Sequence, residues 1–377
     1  MKLGNLKAIT RKEYLHLIRD YRSLCLAFII PALLLLLFGY ALSLDVNDIR
    51  TAVLNYDQTE FSRDLIRELD SSAYFEIVAH LHSDREVTEY LDHGKAVMVI
   101  IIPPRWSQDL HADRDAPIQV LFDGSDPNFA GISQSYMRGF IETYNRKSLQ
   151  QFLDRMGIER IKPPVEGRIR VWFNEDLESR NFIVPGVIAV IIMIVGAILT
   201  SLVIAREYEN GTMETLLSLP IKGTELLLGK AIPYFIIGLT DVLISVLMGQ
   251  VLFGIIIKSS YWLMVLASSL YLLVALSLGL MISIATKSQL VSNQTAILVT
   301  YLPSLLLSNF VFPVQNMPKA LQAISYVIPA TYYIKILKGL FLQGIGLEYL
   351  WPSFMALFLM FISLSTLTAL LLKKGGM

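Results

Sequence analysis

Acidic side chains gather beside an apolar run at one place, Ala205-Arg206-Glu207-Tyr208-Glu209-Asn210-Gly211-Thr212-Met213-Glu214-Thr215-Leu216-Leu217-Ser218-Leu219-Pro220. Carboxylates at this spacing can cap helix ends or meet basic groups on another surface. Gly211 permits a sharp backbone turn, Thr212 can cap the helix that follows, and Pro220 stops it. The stretch leaves a run of apolar residues, Phe182 to Ala205, so it reads as a membrane helix ending in a rigid, charged knob. A solvated loop between two spans is the plainer alternative.

Other chemistry is mostly excluded. A phosphate-cradling Walker loop needs Gly-x4-Gly-Lys-[Ser/Thr], and the nearest match, Gly223 to Lys230, has one residue too many and is followed by Ala231. Gly344-Ile345-Gly346 lacks the third glycine of a dinucleotide fingerprint. No Gly-x-Ser-x-Gly or His-Glu-x-x-His occurs, and the single Cys25 rules out both an intrachain disulfide and a thiolate zinc site. His80 and His82 share a face if their stretch is a strand, but no converging ligand set follows from them, and no metal is assigned. Asp123-Gly124-Ser125-Asp126-Pro127-Asn128 lacks the downstream glutamate of a calcium loop and reads as a turn. Asp241 lies in the middle of an apolar run, where an ionised carboxylate costs about 3 kcal/mol. It must face other helices, be protonated, or have a partner; a buried structural hydrogen bond is favoured over a proton or cation site.

The elements that position these residues follow from composition. Of 377 residues, 54% are hydrophobic and 17% charged, and the formal net charge is zero, so nothing invites nucleic acid. Residues 1–23 form a basic amphipathic helix suited to a membrane face. Leu24–Leu44 is the first span, long enough for a core of about 30 Å. Residues 45–180 hold 24 of the 32 acidic and 16 of the 32 basic residues. They read as a small extracytoplasmic α/β domain. Its strands are expected at Thr51–Leu54, Phe75–Ala79, Ala96–Ile102 and Ile118–Phe122, with a capping box at Ser83-x-x-Glu86 and a long helix from Ala130 to Met156. Pro163-Pro164 and Gly167 mark a return linker, and Arg168–Phe173 a last strand.

Residues 181–377 supply spans at Phe182–Ile204, Ala231–Ile257, Tyr261–Ala285, Gln294–Phe312 and Leu350–Leu372, with the polar segment 205–229 between the first two. Residues 313–346 are too broken by Pro313, Pro318 and Pro329 to cross, and their apolar pieces, with Met317 between them, fit a re-entrant hairpin. The expected fold is therefore a six-span helical membrane protein with both termini cytoplasmic and one α/β domain between spans 1 and 2.

Glu-x-Glu-x-Gly-Thr-x-Glu-x-Leu-x-x-x-Pro over 207–220 resembles the cytoplasmic coupling segment of type-2 ABC transporter permeases. Phe312-Pro313-Val314-Gln315-Asn316-Met317-Pro318-Lys319-Ala320-Leu321-Gln322, Ile328-Pro329-Ala330-Thr331-Tyr332-Tyr333 and Leu337-Lys338-Gly339-Leu340-Phe341 extend the resemblance. It implies an exporter membrane subunit in the bacterial inner membrane, moving a hydrophobic or amphiphilic substrate as in multidrug efflux. Glu207, Glu209, Gly211, Thr212, Glu214 and Pro220 would dock on a separate ATPase subunit that carries ATP and Mg, the chain itself binding no cofactor. The amphipathic helix would be an elbow that also touches that ATPase. A second permease half would complete the transporter, with membrane lipid around it and room for a periplasmic adaptor. The second and fifth spans would line the path, making Gly196, Thr200, Thr300, Asn309 and Phe310 candidate lining residues. Two other classes fit the residues alone: a secondary transporter driven through Asp241, and a membrane-bound sensor or assembly protein.

Overall fold

Sequence periodicity is realised in a computed structural model describing residues 3–41, 48–112, 114–157, 173–174 and 179–374. In chain order the elements are α1 (Leu3–Arg19), α2 (Tyr21–Ala41), β1 (Ile49–Asn55), α3 (Glu60–Asp70), β2 (Phe75–Leu81), α4 (Asp84–Asp92), β3 (Met98–Ile102), α5 (Trp106–His111), β4 (Gln119–Phe122) and α6 (Pro127–Arg155). There follow α7 (Arg180–Glu209), α8 (Thr212–Ser218), α9 (Gly223–Phe253), α10 (Tyr261–Thr286), α11 (Gln289–Leu306) and a 3-10 turn (Val314–Asn316). α12 (Lys319–Ser325), α13 (Pro329–Lys338), a π-helical segment (Gly339–Gln343) and α14 (Leu347–Lys374) complete the chain. The chain divides into two units, Leu44–Ile169 and the helical remainder, Met1–Ser43 with Arg170–Met377.

The smaller unit is a four-stranded sheet in the order β2-β1-β3-β4, with β1 parallel to β2 and β3, and β4 antiparallel to β3. Central strands of such a sheet are covered on both faces, so they read as apolar runs and not as alternations. One face packs Ile49, Val53, Met98 and Ile100 against Leu65, Leu69 and Met137 of α3 and α6; the other packs Ala52, Leu54 and Val99 against Val87 of α4. At the carboxyl ends of β1 and β3, Asp57 accepts from the Ser107 hydroxyl at 2.6 Å, from the Ser107 amide at 3.3 Å and from the Thr59 hydroxyl. Burial would raise this carboxyl, but those hydrogen bonds outweigh it and hold it below the usual carboxylate range. They therefore steady the unit above that range and are lost as pH falls through it.

One expectation in this unit needs correcting. The Ser83-x-x-Glu86 box does not close: Glu86 Oε2 accepts from the amide of His82, one residue before the N-cap, at 2.9 Å, while the Ser83 hydroxyl donates to Glu86 and does not cap the helix. The strand expected over 168–173 lies outside the described residues except for Phe173. Asp123 and Asp126 shape a turn, accepting from the amides of Ser125 and Phe129.

The helical unit is built round α7, which is buried along nearly its whole length against α2, α9, α10, α11 and α13. Its seam with α10 depends on a small residue. A Cβ on Gly279 would stand 2.2 Å from Thr200 Oγ1 and 2.4 Å from the Ala197 carbonyl. Hydroxyls stitch the same seam: Thr200 donates to the Leu276 carbonyl at 3.0 Å, Tyr271 donates to the Ala189 carbonyl at 3.0 Å, and Ser283 Oγ accepts from the amides of Ile204 and Ala205. Small residues and such hydrogen bonds are what hold helices together where lipid removes the hydrophobic drive between them. Ser268, Tyr333 and the stacked ring of Tyr271 tie α13 to α10 in the same way.

Large apolar side chains face outward on α2, α9, α11 and α14, among them Leu33, Val251, Leu298 and Phe358. Apolar surface on this scale is unsuited to water and fits a bilayer. By length and composition four helices of the described residues can cross: α7, α9, α10 and α14. α2 contributes a shorter apolar stretch, Ala27–Tyr40, and α11 has 18 residues. Six spans therefore require both of these shorter helices to be counted.

Boundaries shift in two instructive places. α9 begins at Gly223, eight residues before the expected span, so its first turns belong to the polar segment. α11 begins at Gln289 and ends at Leu306, short of the expected Phe312. There the backbone leaves the helix because Asn309 takes φ +67°, its Oδ1 accepts from the Val314 amide, and its carbonyl accepts from Lys338 Nζ at 2.9 Å. Residues 313–346 form the 3-10 turn, α12, α13 and the π-helical segment, with Pro313, Pro318 and Pro329 each just before or at the start of one of them.

Close packing at the α7–α10 seam makes a prediction. Gly279→Val should destabilise the helical unit by about 1–3 kcal/mol through overpacking. Gly139→Ala on α6, where a Cβ meets nothing within 4 Å, should leave stability unchanged or slightly higher. Thermal unfolding of the two variants in the same detergent checks both.

Candidate coupling site

α7 runs past its apolar portion for one further turn, so Arg206, Glu207 and Glu209 are helical and not part of a loop. Gly211 then turns the chain at φ +69° with open space around it; the constraint is backbone conformation and not room. α8 follows, anchored inward by Met213, which is 2% exposed, and ends before Pro220.

The acidic residues separate into three roles. Glu207 turns inward and meets Lys230 Nζ at 2.8 Å and Lys12 Nζ at 3.1 Å; it also accepts from the Thr212 hydroxyl. Lys230, only 1% exposed, also donates to Glu13 of α1, itself buried. Two lysines and two glutamates thus form a neutral cluster joining α1, α7, α8 and α9. Glu209 serves the neighbouring helix: it accepts from the Gln289 amide at 2.8 Å, its side-chain amide at 2.6 Å and the Ser288 hydroxyl at 3.0 Å, which satisfies the first turn of α11. Glu214 lies exposed on α8 beside the exposed Thr215, with Leu219 and Pro220 exposed just after the helix.

Further ties surround the cluster. Arg206 donates to His16 at 3.0 Å and lies 3.6 Å from Asp20, where α1 gives way to α2. Asn5 donates to Glu225 at 3.1 Å, and Glu225 accepts from the Lys222 amide at the start of α9. α1 lies so close to α9 that a Cβ on Gly229 would stand 2.7 Å from Ile9.

The structure accordingly places Thr212 as a donor to Glu207, with Gly211 at the capping position expected for Thr212. Among the candidate lining residues, Gly196 and Thr200 lie against α10, and Thr300 is buried and donates to the Ala296 carbonyl. Asn309 shapes the turn after α11, and Phe310 packs on Gly186 of α7. Asp241 is 1% exposed with Oδ1 lacking a hydrogen-bond partner. Lys230 and Glu13 escape sequence reasoning as a pair. The visible signal for Glu13 is its position in the apolar stripe Leu6, Ile9, Glu13, Leu17, where a surface helix should carry no charge.

What this geometry describes is a helical membrane unit whose polar end is braced from within and presents one short helix outward. A family profile described as ABC-2 family transporter protein matches residues 21–370. The chain is 36% identical over 340 residues to the probable multidrug ABC transporter permease YbhS of Escherichia coli, covering 90% of this chain and 88% of that one. It is 30% identical over 346 residues to the probable multidrug ABC transporter permease YbhR, 92% of each chain, and 28% identical over 312 residues to the inner membrane transport permease YhhJ, 81% and 80%. The chain belongs to the ABC-2 family of transporter membrane proteins, the type-2 ABC permeases.

Removing the buried cation tests the cluster. Lys230→Met strands two facing carboxylates and should cost about 3 kcal/mol or more, whereas Lys230→Met with Glu13→Gln and Glu207→Gln should recover most of the loss. Lys12→Ala, on a side chain 54% exposed, should cost less than about 1 kcal/mol. Unfolding temperatures of the three variants decide.

Proposed function

We propose that the chain is the membrane subunit of an ATP-driven exporter for a hydrophobic or amphiphilic substrate, with α8 docking on a separate ATPase subunit. Two permease halves and two ATPase subunits would make the working transporter, in a bacterial inner membrane with both termini of this chain in the cytoplasm. Permease relatives named for multidrug transport support the export reading. The observation that carries the coupling reading is α8 itself, held rigidly by Met213 and the Glu207 cluster on its inner side and free on the Glu214 face.

A docking helix transmits motion only if it moves as one piece with the spans. The Lys230 cluster supplies that connection to α1 and α9, and Glu209 supplies it to α11. Movement of α8 would therefore shift α7 and α11, the second and fifth spans that the export reading sets beside the path. ATP and Mg belong to the partner in this reading.

Gly211→Val forces a β-branched residue into positive φ. With Glu214→Ala it should leave insertion and yield unchanged while lowering substrate-stimulated ATP hydrolysis and export about tenfold or more in the reconstituted complex. Normal rates in both variants would remove the coupling assignment.

Asp241 supports a second reading, secondary transport, because its orphaned oxygen is costly unless the carboxyl is protonated or finds a partner. We expect Asp241→Asn to transport normally and Asp241→Leu to weaken assembly. Loss of transport in an assembled Asp241→Asn complex would favour the secondary transporter.

A further inference from the structure

Lys338 closes α13 at the end of the bundle opposite the coupling site. Its Nζ donates to the Asn309 carbonyl at 2.9 Å and stands 3.9 Å from the centre of the Phe182 ring. One side chain thus touches the first turn of α7 and the turn after α11, the far ends of the two helices that Glu209 joins at Gln289.

The two ends are matched differently. Lys230 has two glutamates, whereas Lys338, half-buried, has no carboxylate partner among the described residues. A second cation lies close in the same condition: the Lys258 amide donates to the Leu340 carbonyl at 3.1 Å and its ammonium to the Phe173 carbonyl at 3.1 Å. An ammonium carries three donors, so one carbonyl leaves Lys338 with capacity to spare. A neutral oxygen and a ring face do not balance a cation drawn partly out of water. The backbone is irregular here as well, since α13 passes directly into the π-helical segment Gly339–Gln343, a form frequent at functional sites.

We propose that Lys338 binds the acidic group of the exported amphiphile, a phosphate or carboxylate on an apolar body, where the second and fifth spans end. The anion receives a charge-assisted hydrogen bond stronger than the one Lys338 gives to the Asn309 carbonyl, and the Phe182 ring lies beside it for the apolar body. A cationic amphiphile is refused at the same place, so the site selects by charge. The cargo assignment rests on the export reading; the binding site does not.

Binding is measured on the full-length chain in phosphatidylcholine nanodiscs with tritiated dodecyl phosphate, dodecanol and dodecyltrimethylammonium, which share one alkyl chain and differ in charge. Dodecyl phosphate should bind about tenfold more tightly than the other two. Lys338→Gln, which keeps a donor for the Asn309 carbonyl, should erase that preference, and Lys338→Arg should retain it. A purely structural lysine would shift all three probes together or none, and either result overturns the proposal. A diazirine beside the phosphate of the same probe, cross-linked to the unaltered chain, should label peptides that contain Phe182, Asn309 or Lys338. Labelling elsewhere alone overturns the proposal even if Lys338→Gln fails to fold. Displacement of the probe by excess phosphatidylglycerol would give the site to a resident acidic lipid and overturn the cargo claim. In vesicles holding the complete complex, Lys338→Gln should raise the KM for dodecyl phosphate export about tenfold and leave that of the cationic probe unchanged. Charge-selective binding without export of any probe would refute the export reading and the cargo claim with it, whereas intact export without charge preference would refute this site alone.

Discussion

The buried ammonium of Lys230 is the interaction on which the polar end of the bundle depends. A charge taken from water costs several kcal/mol unless it is matched at close range, and here two carboxylates from different helices match it. Neither carboxylate can be withdrawn without leaving a buried charge unbalanced, so α1, α7 and α9 are obliged to stay together. Lys12 and Thr212 meet the remaining lone pairs of Glu207, which extends the same obligation to α8. Such a cluster contributes little net stability compared with apolar packing of equal volume. Its effect is to fix one arrangement.

Around that fixed end the bundle is held by close approach and by hydroxyls. Gly279 admits α7 against α10, and Thr200, Tyr271 and Ser283 bind backbone across the seam. This is a different economy from the smaller unit, where Ile49, Val53 and Met98 are shut from water on the faces of a sheet. Within the bundle, α7 is apolar and packed along most of its length, then charged for its last turn. That continuity lets a charge cluster at one end bear on the whole helix.

Much of this was legible in the sequence. Long apolar runs announced α7, α9, α10 and α14, and four strands of the smaller unit fell within a few residues of their expected places. Gly211 and Pro220 marked the limits of α8 because backbone rules act locally. What local rules could not reveal was direction. Glu207, Glu209 and Glu214 share one motif, yet one turns to Lys230, one to Gln289 and one outward, a distinction set by helices distant in sequence. The end of α11 was misjudged for the same reason, since the Lys338 ammonium that holds the Asn309 carbonyl lies 29 positions away.

The central claim is that α8 and α1 form one rigid body with α7 and α9. Spin labels at positions 7 and 215 of a Cys25→Ser chain, in the complete complex, measure it by pulsed electron paramagnetic resonance. A single narrow distance, unchanged between nucleotide-free and ATP-bound states and broadened by Lys230→Met, is the predicted result. A distance that shifts or broadens with ATP in the unaltered chain would contradict it.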